Sequence, residues 1–134
     1  MKFNISVISF IAVLLLLSCS SNSVSIPKKD DAHLVIADRV DMGTFEPPLY
    51  KKFVTIEFEN TGSDTLYVMS AVAECDCTEI EILTDRVPPK SKGMLKAYLD
   101  LSEYPPVPVE KRFFLTTNDE DTRHVYVTLI GTKK

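Results

Sequence analysis

Tyr50-Lys51-Lys52-Phe53-Val54-Thr55-Ile56-Glu57-Phe58-Glu59 is the stretch from which the fold can be read. Val54, Ile56 and Phe58 alternate with Thr55, Glu57 and Glu59. A strand sends successive side chains to opposite faces, so the segment predicts a β-strand with one face on a core and the other in water. The period of two continues on both sides, and no segment keeps a helical period long enough to compete. Upstream, residues 33–37 and 40–45 read as short strands, the second closed by Pro47-Pro48 because proline cannot donate to a ladder. Downstream, Asn60-Thr61-Gly62-Ser63-Asp64 is a turn by composition. A strand over 65–73 then points Leu66, Val68 and Val72 inward, and a shorter one over 79–83 offers Ile80 and Ile82. Residues 87–93 read as a turn, after which Leu95, Ala97 and Leu99 alternate with Lys96 and Tyr98. The prolines of 104–108 predict a connection that blunts an exposed sheet edge. Phe113, Leu115 and Thr117, then Val125, Val127 and Leu129, predict a closing hairpin about residues 118–121. About seven short strands at spacings of about ten residues give an all-β, Ig-like β-sandwich, without the tryptophan and inter-sheet disulfide of antibody domains.

Residues 1–31 follow a different logic. Met1-Lys2 precedes an apolar run from Ile5 to Leu17 that only Ser6 and Ser9 interrupt. As a helix that run reaches about 20 Å, short of the roughly 30 Å of bilayer hydrocarbon, and it fits the apolar region of a secretory signal. Leu16-Leu17-Ser18-Cys19 resembles the bacterial lipoprotein box, in which a small residue precedes the cysteine that receives lipid. This reading divides the chain into a cleaved signal peptide (1–18), a lipidated Cys19 with a Ser-rich flexible tether (19–31) and an Ig-like domain (32–134). Each buried CH₂ of a palmitate-type chain is worth about 0.8 kcal/mol, so two or three chains anchor the protein without a membrane helix. Removing 1–18 takes away Lys2 and no acid, which leaves 14 basic against 19 acidic residues and a formal charge of −5. That balance argues against nucleic acid and against electrostatic binding to anionic lipid heads. Ser20, Ser21 and Asn22 follow Cys19 where an acidic cluster is absent, so the expected location is the outer membrane facing the periplasm, with surface exposure as the alternative.

Several pieces together resemble a known family. They are Asp41-Met42-Gly43-Thr44, Phe58-Glu59-Asn60-Thr61-Gly62, Cys75-Asp76-Cys77-Thr78, Pro89-Lys90-Ser91-Lys92-Gly93, Thr117-Asn118 and Ile130-Gly131. In this order they look like the bacterial domain-of-unknown-function family fifteen-seventy-three, found in small Gram-negative lipoproteins and similar to Ig-like modules of the Hydin type. The resemblance covers about residues 33 to 131. It implies a fold and a compartment, with Gly43, Asn60, Gly62, Thr78, Gly93, Asn118 and Gly131 as its structural motif, and it implies no reaction. Asp76 stands where the family usually has Gly, a position that suggests φ > 0, and Met42 stands where it favours Phe.

With Cys19 acylated, Cys75 and Cys77 are the two remaining thiols, in an oxidising compartment. In an extended strand their Cα atoms lie about 6.5–7 Å apart, at the far edge of disulfide geometry, so a bridge needs a turn at Asp76. The pair admits three readings: a reducible redox disulfide, a soft-metal site for Cu(I) or Zn²⁺, or a structural lock. Zinc requires further ligands, and His33 and His124 are the only histidines, both expected in solvent. Asp119-Glu120-Asp121 lacks the oxygen spacing of a calcium loop and reads as a wet turn. Asp64-Thr65-Leu66 resembles a short O-glycosylation pattern that a plain turn-to-strand junction also explains. No nucleophile or zinc-protease motif occurs. The function expected is non-enzymatic binding or scaffolding without a cofactor, toward an envelope protein or glycan. The alternative is a thiol-redox or Cu/Zn-binding protein built on Cys75 and Cys77.

Overall fold

The computed structural model describes residues 31–134, so the expected signal peptide, the expected lipidation at Cys19 and the expected tether up to residue 30 lie outside the described residues. Among the described residues the elements are β1 (Leu34–Ile36), β2 (Arg39–Phe45), β3 (Lys51–Asn60), β4 (Leu66–Ala73), β5 (Thr78–Ile82), β6 (Arg86–Val87), β7 (Ser91–Asp100), β8 (Pro108–Thr117) and β9 (His124–Lys133). They form two sheets, ordered β1-β3-β7-β5 and β2-β9-β8-β4-β6. The stretch read first lies mostly in β3, an inner strand that pairs along ten residues with β7, from Lys51 opposite Asp100 to Asn60 opposite Ser91. At about 3.3 Å per residue that ladder is about 30 Å long, which sets the distance between the two ends of the sandwich. Ile56, Phe58, Leu95, Ala97 and Leu99 of the first sheet share a core with Leu66, Val68, Phe113, Leu115, Val127 and Leu129 of the second.

The all-β sandwich expected from the alternation is therefore the fold, with nine strands among the described residues where about seven were expected. The extra ones are short or displaced. Val87, expected in a turn, is fully buried and pairs with Leu66, which shortens that turn to 88–90 with Lys90 at φ 57°. Val72 does not face the core. The register shifts between Val68 and Ser70, and this bulge reverses the phase so that Ala71 and Ala73 turn inward and Val72 is 45% exposed. β8 is an inner strand between β9 and β4, but the β4 ladder reaches only as far as Phe113, so the start of β8, where the proline-rich connection enters, is a local edge. Pro108 is its first residue, beyond the reach of the β4 ladder, where its missing N–H costs nothing. β2 joins the second sheet in parallel with β9, with a bulge between Asp41 and Thr44.

The chain enters the sandwich at a fixed place. Asp31 O accepts from Ser63 N at 2.8 Å, Asp31 Oδ2 from the Ser63 hydroxyl at 2.5 Å, and His33 O from Thr61 N at 2.9 Å. Gly62 makes this docking feasible, since a Cβ there would stand 1.9 Å from Asp31 O and 2.7 Å from His33 N. Backbone cannot yield as a flexible side chain can. Gly62→Ala is expected to lower stability by about 1–3 kcal/mol, read as a fall in the urea midpoint at unchanged slope.

Candidate functional site

Cys75 and Cys77 are joined in a disulfide with Cα atoms 5.2 Å apart. The turn that the sequence reading required is present, because Thr78 N–H donates to Cys75 O at 3.2 Å and folds the chain back over Asp76. Asp76 is nevertheless not in the left-handed region. Lys90 is the only non-glycine residue there among those described, so the φ > 0 inferred from the family's glycine does not hold for this turn. Both cysteines are half-buried, while Thr78 is buried and its hydroxyl lies 3.3 Å from Cys75 Sγ and 3.7 Å from Cys77 Sγ.

The disulfide sits at the Lys51–Asp100 end of the long ladder, where Asp100 N–H donates to Cys77 O at 2.9 Å. Three depressions meet around it. The first, about 380 Å³, is lined by Lys51, Phe53, Asp76, Cys77, Glu79 and Tyr98 among others. The second, about 260 Å³, lies between Asp76, Cys77, Asp100, Glu103 and Tyr104. The third, about 410 Å³, opens on the far side, beside Glu74, Cys75, Glu110, Lys111 and Arg112.

The wall of the first cleft is an aromatic pair. Phe53 and Tyr98 are cross-strand partners with ring centroids 6.0 Å apart, and Phe53 is 62% exposed. Lys96 Nζ stands 4.3 Å from the Phe53 centroid and 4.9 Å from that of Tyr98, bracing both rings. Its hydrogen bond with Tyr98 raises the amine above the ordinary lysine range. On the same rim Lys51 Nζ meets Asp100 Oδ2 at 2.8 Å. That hydrogen bond, with the Ser102 hydroxyl and N–H, lowers the Asp100 carboxyl to about 2. Phe53 is in phase with Thr55 and Glu57, so alternation assigned it to solvent. The signal for this pair is an aromatic at an outward position on each of two strands, and only the register brings the two together.

The remaining motif residues are spread through the fold. Gly43 has φ 71° and donates to Asp41 Oδ1 at 2.7 Å. Gly131 lies against it, since a Cβ there would be 2.9 Å from Gly43 O and 3.0 Å from the Phe45 ring. Gly93 leaves room for Phe58 and Val87. Asn118 accepts from Tyr67 N at 2.8 Å and donates to Thr65 O at 3.1 Å. Asn60 is fully buried and donates to Asp64 O at 2.8 Å and Val87 O at 3.0 Å. Its Oδ1 accepts from His33 N at 3.2 Å and Gly62 N at 3.0 Å.

His33 lies at that opposite end, with Nδ1 3.3 Å from Asp119 Oδ2, and His124 Nδ1 is 3.3 Å from the Thr116 hydroxyl near the end of β8. Neither histidine shares an end with the thiols. Among the described residues no group of three or more His, Cys, Asp or Glu is placed to hold a metal. The acidic turn is wet at Glu120 and Asp121, as expected, but not at Asp119. Asp119 is buried at 1% exposure and accepts from Leu34 N at 2.9 Å, Asp121 N at 2.9 Å, Thr122 N at 3.2 Å and the Thr122 hydroxyl.

Fold and site together define an all-β, Ig-like sandwich module with a disulfide turn beside an aromatic cleft at one end. The chain belongs to DUF1573, a family of proteins of unknown function whose model matches residues 35–132. Among solved structures it is similar to a protein of unknown function from Porphyromonas gingivalis W83, with a TM-score of 0.71 at 13% identity over 83% of this chain and 51% of that one. The chain thus spans about half the length of that protein. It is also similar to the ASH/PapD-like domain 7 of human CEP192, with a TM-score of 0.53 at 9% identity over 88% of this chain and 95% of that one. The secreted serine protease VesC from Vibrio cholerae gives 0.53 at 12% identity over 75% of this chain and 23% of that one. At such identities the likeness speaks for the fold alone. No functionally curated protein matches the chain.

Proposed function

We propose that the protein is a lipid-anchored module of the cell envelope, acylated on Cys19, that uses a Hydin-type Ig-like frame to bind or scaffold an envelope protein or glycan without turning over a substrate. The observation that supports this reading is the polarity of the sandwich. Asp31 and His33 are hydrogen-bonded to the Thr61–Asp64 turn, beside Asn60, whereas the Phe53–Tyr98 cleft lies beside Lys51 and Asp100 at the other end of the same ladder. An anchor pulling on residue 31 turns the cleft away from the lipid surface. The braced rings supply apolar faces, and Asp76 and Glu79 supply hydrogen-bonding groups around them, a mixture that suits a peptide or a sugar. The location that goes with this reading is the periplasmic face of the outer membrane.

Cys19→Ala removes the acyl acceptor. Fractionation of cells carrying the variant is expected to move the protein from the membrane pellet to the soluble fraction. Retention of Cys19→Ala in the membrane, resistant to salt, would contradict the anchoring.

A further inference from the structure

The two sulfurs of the disulfide have different surroundings, and the difference gives the bond a direction. Cys77 lines both depressions on the Asp100 side, together with Asp76, Glu79, Asp100 and Glu103 and with the Lys51 that Asp100 already holds. Cys75 lines neither of those and opens instead into the depression that contains Lys111 and Arg112, along with Glu74 and Glu110. Arg112 Nε is paired with Glu74 Oε2 at 3.0 Å on the Cys75 side, while Lys111 Nζ stands 4.1 Å from the ring centroid of Tyr104, which lines the Cys77 side. The one hydroxyl at the bond belongs to Thr78, and it is nearer to Cys75 Sγ, 3.3 Å against 3.7 Å.

We propose that the Cys75–Cys77 disulfide undergoes thiol–disulfide exchange with a partner thiol, the attack falling on Cys77 Sγ from the Phe53–Tyr98 cleft and Cys75 leaving as the thiolate. Exchange needs the attacking sulfur, the attacked sulfur and the leaving sulfur in line, and the rate rises as the leaving thiolate is stabilised. The cleft that Cys77 lines and Cys75 does not is the opening from which an attacking thiolate can approach Cys77. The leaving electron pair then collects on the sulfur nearer the Thr78 hydroxyl, which donates to it.

The partner sulfur forms a bond to Cys77 Sγ as the Sγ–Sγ bond breaks, and Cys75 Sγ takes the electron pair. If the partner carries a second thiol, its thiolate attacks the partner sulfur of the mixed disulfide and expels Cys77. The partner dithiol is then oxidised to a disulfide, and the Cys75/Cys77 pair gains the two electrons. A partner with one thiol is instead captured reversibly, since the Cys75 thiolate can return to Cys77 and release it. Thr78 acts as a positioning donor in either case. This chemistry goes beyond non-covalent binding and does not depend on the anchor.

The test uses the purified full chain in its oxidised form and 2-mercaptoethanol as the probe thiol, with acid quenching, alkylation of free thiols and fragmentation mass spectrometry of the 75–77 peptide. The adduct is expected on Cys77 and the alkyl group on Cys75. Thr78→Val is expected to slow reduction about tenfold and to raise the apparent pKa of the Cys75 thiol in the reduced protein, while Thr78→Ser keeps both near wild type. An adduct on Cys75, or the same rate and pH profile in Thr78→Val as in wild type, would overturn the proposal. The adduct mapping needs no variant, so a folding defect in Thr78→Val leaves the test decisive. Because the probe is a small thiol, the outcome is read separately from any partner binding or membrane attachment.

Discussion

Asp119→Ala is expected to lose about 3 kcal/mol of folding stability at pH 7, because it strips a buried acceptor from several donors at once. Leu34 N, Asp121 N, Thr122 N and the Thr122 hydroxyl all converge on this carboxylate, which ties β1 to the turn between β8 and β9. Burial alone would push its pKa up. The hydrogen bonds from Thr122, Leu34 and Asp121 outweigh burial and hold it below the usual carboxylate value. A carboxyl whose folded pKa is depressed contributes stability that is present above its unfolded pKa, about 3.9, and lost as pH falls through the folded value. The wild type should therefore weaken steeply below pH 4, and Asp119→Ala should weaken less because it has already lost this contribution. Urea titrations of both proteins at pH 7, 4 and 3 check the prediction. Asp100 titrates in the same acid range, but its pair with Lys51 is exposed and adds little.

Asn60→Asp is expected to cost still more, about 4 kcal/mol at neutral pH, with a deficit that begins to shrink at higher pH. The amide is fully buried, and its two N–H bonds run to Asp64 O and Val87 O. A carboxylate there sets negative oxygen against two carbonyls, with no water to screen it. The introduced group takes up a proton more readily folded than unfolded, so its folded pKa lies above the unfolded one. Such a group is least harmful below the unfolded pKa and most harmful once pH has risen through the folded value. The deficit of Asn60→Asp relative to wild type should shrink from pH 7 toward pH 4, whereas that of Asp119→Ala should shrink only below pH 4. Equal deficits at pH 7 and pH 4 for Asn60→Asp would count against a buried carboxylate facing carbonyls.

These two residues mark where sequence reading was strong and where it failed. Asn60 fell in a turn recognised by composition and by the family motif, although composition did not say that its side chain is the turn's internal support. Asp119 was read as wet because an acidic run in a hairpin is usually solvated. Only the approach of β1, 85 residues away in sequence, buries it. The alternation of Ile56 with Glu57 and of Leu95 with Lys96 made the sandwich legible, since one face in water leaves a period of two in the sequence. Val72 was misplaced because a bulge adds one residue and leaves no compositional trace. The parallel docking of β2 on β9 was invisible for a related reason, as pairing partners are not written in either strand alone. At the site, a Cys-x-Cys spacing lies at the limit of bridging in an extended chain, and the turn that permits the bridge comes with the hydrogen bond from Thr78 N to Cys75 O, which the sequence does not display. The aromatic cleft is a product of register between β3 and β7, and neither Phe53 nor Tyr98 announces it separately.

Binding at the disulfide end is tested most directly by photocrosslinking in cells. A photoreactive phenylalanine analogue is placed at Phe53 in the cleft and, as a control, at Tyr126, which is 55% exposed on β9 of the other sheet. The result expected is a discrete adduct with an envelope protein or glycan from position 53 and none from position 126. An adduct from position 126 alone, or none from position 53 in membranes that hold the protein at its normal level, would contradict a binding site in the cleft.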